Sequence, residues 1–275
     1  MRLGTYRSYD VGDSTLAGRF QELAQYRHLL MNFVASDLRA RYRRSYLGMI
    51  WAVLYPLVFS AIIALVAIRI FQQPAETYVT YLITGFVVWD LIGAAISGGT
   101  MSFLVGEGYM RQYRLPYIIY PLRTVSSLAV NSAFTSIAAV VAIVFLTPQS
   151  ISFYWLYWPL VMLMLYLFAI PLAVLAGLAN VRFRDFQHAA GLAVFLLWYL
   201  SPTIVIREVY DSPGLKPFTD LNPFASALDI FRAIMTERAH PTLHDVALVV
   251  GATIVLWILA LLALKVEGRK LIFYL

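Results

Sequence analysis

DLRARYRRSYLGMIWAVLYPL, residues 37–57, passes from a basic cluster into an apolar run within a few positions. Arg39, Arg41, Arg43 and Arg44 crowd its first half, and from Leu47 to Phe71 the only charged side chain is Arg69. Lys and Arg gather on the side of a bilayer that is not translocated and attract anionic head groups. The stretch is therefore a membrane boundary with its basic side in the cytoplasm, and the orientation of everything downstream follows from it.

Composition agrees. Of 275 residues 61% are hydrophobic and only 13% charged, with mean hydropathy +0.73, whereas a soluble domain carries about 25% charged residues. The net charge of +6 sits mostly on the flanks of apolar runs, which makes anionic lipid rather than nucleic acid the expected partner. The chain has no cysteine, which removes disulfides, thiolate chemistry and Cys-ligated metal. The first 45 residues lack an apolar core followed by a small-residue cleavage site, so the first span is expected to serve as the insertion signal.

A hydrocarbon core of about 30 Å needs about 20 apolar residues of helix. Six stretches approach that length, at about Leu47 to Phe71, Tyr78 to Gly98, Pro121 to Leu146, Phe153 to Ala179, Ala189 to Ile206 and Asp245 to Lys265. The fifth is marginal and contains Pro202, which predicts a broken or re-entrant segment. Residues 72–77 and 147–152 hold no Lys or Arg, while the N-terminus holds eight Arg, and Arg111, Arg114, Arg182, Arg184, Arg269 and Lys270 follow spans two, four and six. This positive-inside pattern puts both termini in the cytoplasm and residues 207–244 outside. Trp155 and Trp158, with Tyr154 and Tyr157, then form an outer aromatic belt.

Two amphipathic segments flank the spans. Phe20, Leu23, Tyr26, Leu30, Phe33, Val34 and Leu38 recur at helical spacing, which predicts an interface helix with its apolar face in lipid or on a soluble partner. In LNPFASALDIFRAIM, residues 221–235, Pro223 suits a first helical turn and Phe224, Leu228, Phe231 and Ile234 make a stripe. This helix lies at or dips into the outer surface, or simply caps the spans. The fold class is thus all-α integral membrane: six transmembrane helices, an N-terminal amphipathic interface helix, and short outer re-entrant or interfacial helices between spans five and six. The domains are a cytoplasmic N-terminus (1–46), a six-span domain (47–265) and a cytoplasmic tail (266–275).

Enzyme signatures are missing. There is no G-x-x-x-x-G-K-[ST] loop, the four His show no metal spacing, and no paired carboxylates lie inside a span. An ionisable group inside a span is a functional candidate. Asp90, preceded by Trp89, either faces a pathway or pairs with another helix, with Arg123 in reach. Trp51, Tyr55, Phe59, Phe86, Trp89, Phe195, Trp198 and Tyr199 offer aromatic faces suited to stacking on sugar rings, or to packing against lipid and one another. Residues 102–117 and 180–188 read as compact polar connections able to dock on a cytoplasmic partner.

Asp37, Leu38, Arg41, Tyr42, Ser45, Leu47, Gly48, Trp51, Leu54 and Pro56 match the pattern D-L-x-x-R-Y-x-x-S-x-L-G-x-x-W-x-x-L-x-P. With Asn180, Arg184 and Asp185, and with Leu221, Asn222, Pro223 and Arg232, the chain resembles the membrane subunit of ABC-2 type transporters, specifically the permeases that export polysaccharide (O-antigen, capsule) or teichoic acid. The resemblance implies a homodimer in the bacterial inner membrane, driven by two copies of a separate ATPase that binds ATP and Mg²⁺, with no cofactor in this chain and a lipid-linked polysaccharide as substrate. It implies ATPase contacts through the N-terminal helix and the connection after span two, by Glu22, Arg27, Glu107, Tyr109, Arg111 and Arg114. It also implies a channel lined by Trp51, Tyr55, Phe59, Trp89, Asp90, Trp198 and Tyr199. Arg41, Arg43 and Arg44 are the expected contacts for a lipid pyrophosphate head group, because guanidinium pairs phosphate bidentately. An ABC-2 exporter of a small drug or lipid, an integral enzyme acting on polyprenyl-linked glycan, and a membrane scaffold stand as alternatives.

Overall fold

The structure, a computed structural model, describes residues 25–71, 74–113, 115–268 and 270–274. Among them there is no strand. The helices are α1 Arg27–Tyr42, α2 Ile50–Phe71, α3 Ala75–Gln112, α4 Ile119–Leu146, α5 Trp158–Arg182, α6 Phe186–Leu200, α7 Arg207–Tyr210, α8 Lys216–Asp220, α9 Pro223–Met235, α10 Leu243–Glu267 and α11 Leu271–Tyr274. Five of them, α2, α3, α4, α5 and α10, are long and apolar enough to cross a membrane. The stretch taken as span five is the 15-residue helix α6, about 22 Å long at 1.5 Å per residue, which falls short of a bilayer core. It stops before Ser201-Pro202, since a residue preceding proline is pushed out of the helical region.

α3 is the axis of the bundle and packs on α2, α4, α5, α6 and α9. Its contact with α5 is backbone on backbone. A Cβ on Gly99 would lie 2.5 Å from Ala173 Cα, and one on Gly177 would lie 2.7 Å from the Gly99 carbonyl oxygen. Small residues thus set this crossing, where dispersion and not water exclusion drives helix association. Asn180 locks the same end. Its Nδ2 donates to the Thr100 carbonyl (3.0 Å) and its Oδ1 accepts from the Gln187 amide (3.0 Å), one of the otherwise free N–H groups of the first turn of α6.

α3 also corrects the reading of residues 102–117 as a connection, because it runs unbroken to Gln112. Its 38 residues span about 57 Å, so it projects well beyond a 30 Å core. Gly106 serves close packing, not a turn, since a Cβ there would lie 2.2 Å from the Tyr120 ring. Glu107 and Arg111 form an i,i+4 ion pair (2.8 Å) along the exposed helix.

At the opposite end, residues 201–206 leave helical conformation but keep their carbonyls paired. Tyr81 Oη donates to Pro202 O (2.7 Å) and Val205 O (3.0 Å), Tyr78 Oη to Ile204 O (2.8 Å), and Tyr210 Oη to Tyr199 O (2.6 Å). Arg232, 3% exposed, donates to Pro202 O (2.6 Å) and Tyr81 O (3.2 Å), and its guanidinium lies 3.5 Å from the centroid of the Tyr81 ring. Such pairing is what irregular backbone requires away from water. α9 begins at Pro223 as its sequence predicts, capped by Asn222, whose Oδ1 accepts from the Phe224 amide (2.9 Å). Leu228, Phe231 and Ile234 of its apolar stripe and its small residues are buried and Phe224 is half-buried, so it packs into the bundle as a cap. Trp155 Nε1 donates to Met235 O (3.1 Å), so one Trp of the expected belt fastens α9 to the start of α5.

Candidate functional site

The quoted opening stretch builds the site. α1 docks on α4 by side-chain pairs at Asp37, which Ser127 Oγ also reaches (3.4 Å), and at Tyr42. Asp37 takes both Nε (2.7 Å) and Nη2 of Arg123, whose guanidinium also covers the Phe33 ring at 4.8 Å. Tyr42 Oη donates to Asn131 Oδ1 (2.5 Å). Phe33 is buried and meets Tyr109 edge-on at 4.9 Å, so this part of the amphipathic stripe faces the bundle instead of lipid.

After Tyr42 the chain reverses in a tight turn. Arg43 (φ −62°, ψ 131°) and Arg44 (φ 64°) occupy its central positions, and the Ser45 amide donates to Tyr42 O (3.1 Å). This is a type II turn with Arg44 where glycine is favoured. Ser45 Oγ then accepts from the Gly48 amide (3.0 Å), and Gly48 (φ 52°) adopts the left-handed backbone that starts α2. Arg41, Arg43 and Arg44 are all exposed around this turn.

α2, α3 and α6 enclose a cleft of about 610 Å³ beside it. Trp51 and Tyr55 of α2, Trp89 and Asp90 of α3, and Trp198 of α6 line it, with Tyr42 from the end of α1. Phe59 and Tyr199 stand just behind, Phe59 against Tyr55 (5.7 Å) and Phe86 (5.0 Å), and Tyr199 against Trp198 (5.6 Å). Five of the seven residues that the resemblance implies line a channel thus line this cleft, while Phe59 and Tyr199 pack against its lining. Trp89 is held by its Nε1 donating to Thr203 Oγ1 (2.6 Å), so the irregular segment fixes a wall of the cleft.

Asp90 does not pair with Arg123, which is taken by Asp37. Instead Asp90 Oδ2 accepts from Asn131 Nδ2 (2.8 Å) and Thr135 Oγ1 (2.8 Å), both one helix away on α4. Asn131 links the two systems, because its carbonyl oxygen receives Tyr42 and its amide holds Asp90. Sequence reasoning assigned no role to Tyr42, Asn131 or Thr135. Tyr42 stands in the quoted family pattern, and the signals for Asn131 and Thr135 are their i,i+4 spacing on α4 and the polar character of Asn131 within an apolar run.

The remaining candidates lie at the end of the bundle shared by α1 and the projecting part of α3. Arg27 is exposed, Tyr109 is 41% exposed beside Phe33, and Glu107 and Arg111 pair with each other. Glu22 and Arg114 lie outside the described residues.

The ABC-2 type transporter family matches residues 28–236. Three relatives are each named O-antigen export system permease protein RfbA. One from Myxococcus xanthus is 25% identical over 239 residues, covering 86% of this chain and 92% of the relative. Two from Klebsiella pneumoniae are 25% identical over 201 residues (73% and 77%) and 23% identical over 207 residues (75% and 79%).

Proposed function

The chain belongs to the ABC-2 type transporter family, and from that premise we propose that it is the permease subunit of an exporter for a lipid-linked polysaccharide. It works as a homodimer in the bacterial inner membrane, powered by two copies of a separate ATPase that binds ATP and Mg²⁺. The name shared by its relatives, O-antigen export system permease, supports the substrate class. The observation that carries the reading is the aromatic cleft beside a basic turn. Flat aromatic walls engage the C–H faces of sugar rings through many weak contacts, which suits a polymer that must slide. The Arg41–Arg44 turn supplies bidentate donors for a phosphate-linked head group at the mouth of that cleft.

The basic end of the bundle then faces the cytoplasm, in keeping with the excess of Arg there. The ATPase docks on α1 and on the projecting end of α3, through Arg27, Glu107, Tyr109 and Arg111. The α1 contacts pass on its movement, because the helix that meets the ATPase also carries Asp37 and Tyr42.

The test is co-purification of the detergent-solubilised chain with the product of an adjacent ATPase gene, followed by ATP hydrolysis with and without lipid-linked glycan. The expected result is a two-plus-two complex whose hydrolysis the glycan changes. A chain that binds no ATPase removes the energy source and with it the proposal.

A further inference from the structure

The cleft wall is chemically one-sided. Among the described residues its lining contains no Lys, Arg or His, and Asp90 is the single carboxylate. That carboxylate is half used. Oδ2 receives both Asn131 and Thr135, whereas Oδ1 accepts from no group among the described residues. Two donors on one oxygen fix the plane of the carboxylate, and Asp90 itself is only partly buried where it meets the cleft. Among the described residues no Lys or Arg forms an ion pair with Asp90, and Arg41 stands exposed outside the cleft lining.

We propose that Asp90 sets the charge class of the ligand: the cleft accepts sugar residues that are neutral or carry an amino group and disfavours those that carry a carboxylate or phosphate. A hydroxyl or ammonium group of a ring stacked on Trp51 or Trp198 donates to the free Oδ1, a charge-assisted bond of the stronger kind. An acidic sugar at the same place meets a like charge in a poorly screened, aromatic-walled space with no cation on the wall to offset it. The two charges of a lipid-linked glycan are thereby sorted: the phosphate stays at the exposed arginine turn while the sugars enter past Asp90. This inference rests on the exporter reading.

Three of the six tryptophans line the cleft, so intrinsic fluorescence of the purified full chain reports occupancy. Trimers of mannose, glucosamine and galacturonic acid are titrated at low ionic strength. The neutral and amino trimers are expected to quench with half-saturation at least about tenfold below the acidic one. Ser97, exposed on the same wall, offers a variant that does not disturb the Asp90 network, and Ser97→Lys is expected to shift the preference toward the acidic trimer. Asp90→Asn should narrow the difference between trimers. Equal or better quenching by the acidic trimer in the unmutated chain overturns the charge assignment while leaving the exporter reading in place. No quenching by any trimer counts against the exporter reading itself.

Discussion

Removing the Asp37 carboxylate should loosen α1 from the bundle while leaving the spans folded. Asp37 and Arg123 form a two-bond pair with side chains 31% and 13% exposed. Breaking a fully buried pair from one side costs about 3–5 kcal/mol, because the other charge is left without its partner. The partial exposure of Asp37 lets water reach Arg123, and the Phe33 ring still covers the guanidinium, so about 2 kcal/mol is the appropriate discount. That is a roughly 30-fold rise in the undocked population of α1. Trypsin reads it directly, since Arg39 and Arg41 lie in the last turn of α1 and are cleaved only when the helix opens. With opening fast relative to cutting, the initial rate follows that population. Asp37→Ala in nanodiscs should therefore be cut at Arg39 and Arg41 about 30 times faster than the unmutated chain. The double variant Asp37→Ala/Arg123→Met, which removes the stranded charge, should recover much of the protection. Cleavage of Asp37→Ala within twofold of the unmutated rate, or strict additivity in the double variant, would refute the docking account.

Other parts of the fold make separate predictions. Gly99→Val forces α3 and α5 apart at a contact with no room for a Cβ; a loss of about 1–3 kcal/mol is expected, read as a lower midpoint in thermal unfolding in detergent, and an unchanged midpoint contradicts the packing. Arg232→Met removes the guanidinium that donates to Pro202 O and Tyr81 O; Tyr81 Oη still reaches Pro202 O, so the cost is that of two lost charge-assisted hydrogen bonds, about 2–4 kcal/mol, read as a lower midpoint in thermal unfolding, and near-normal melting contradicts the role given to Arg232. Arg44→Gly relieves a left-handed φ at the turn, and the Ser45 amide should exchange with deuterium about fivefold more slowly, for a gain of about 1 kcal/mol; faster exchange contradicts the turn assignment. Asn180→Ala frees the Gln187 amide and the Thr100 carbonyl, so exchange at Gln187 should rise by about tenfold for a loss of about 1–2 kcal/mol; unchanged exchange there speaks against the lock.

The long spans were legible because length and apolarity alone identify them, and Pro223 announced the start of α9 through its fixed φ. The site was legible by residue type but not by partner. Trp51, Trp89 and Asp90 stand out as a large aromatic or a charge within apolar runs, yet nothing local says that Asn131, 41 positions from Asp90, holds that carboxylate. Asp37 and Arg123 lie 86 residues apart, and an in-span Asp90 drew Arg123 toward the wrong carboxylate. Gly106 and Gly108 around Glu107 imitate a loop, because glycine marks both turns and close helix contacts; the Glu107–Arg111 spacing was the helical signal that outweighed them. The shortness of α6 was foreshadowed by Pro202, but its compensation was not, since it draws on Tyr78, Tyr81 and Arg232 from two other helices.

The central claim, that glycan passes along the cleft, is tested most directly by a photo-reactive benzoylphenylalanine placed at Tyr55 in cells that make the polymer. Tyr55 faces the cleft at 62% exposure, and Ile258 on the outer face of α10, 53% exposed, serves as the comparison. Irradiation should yield a glycan-bearing adduct at Tyr55 that depends on the ATPase, and none at Ile258. An adduct at neither position, or equal adducts at both, would contradict the account.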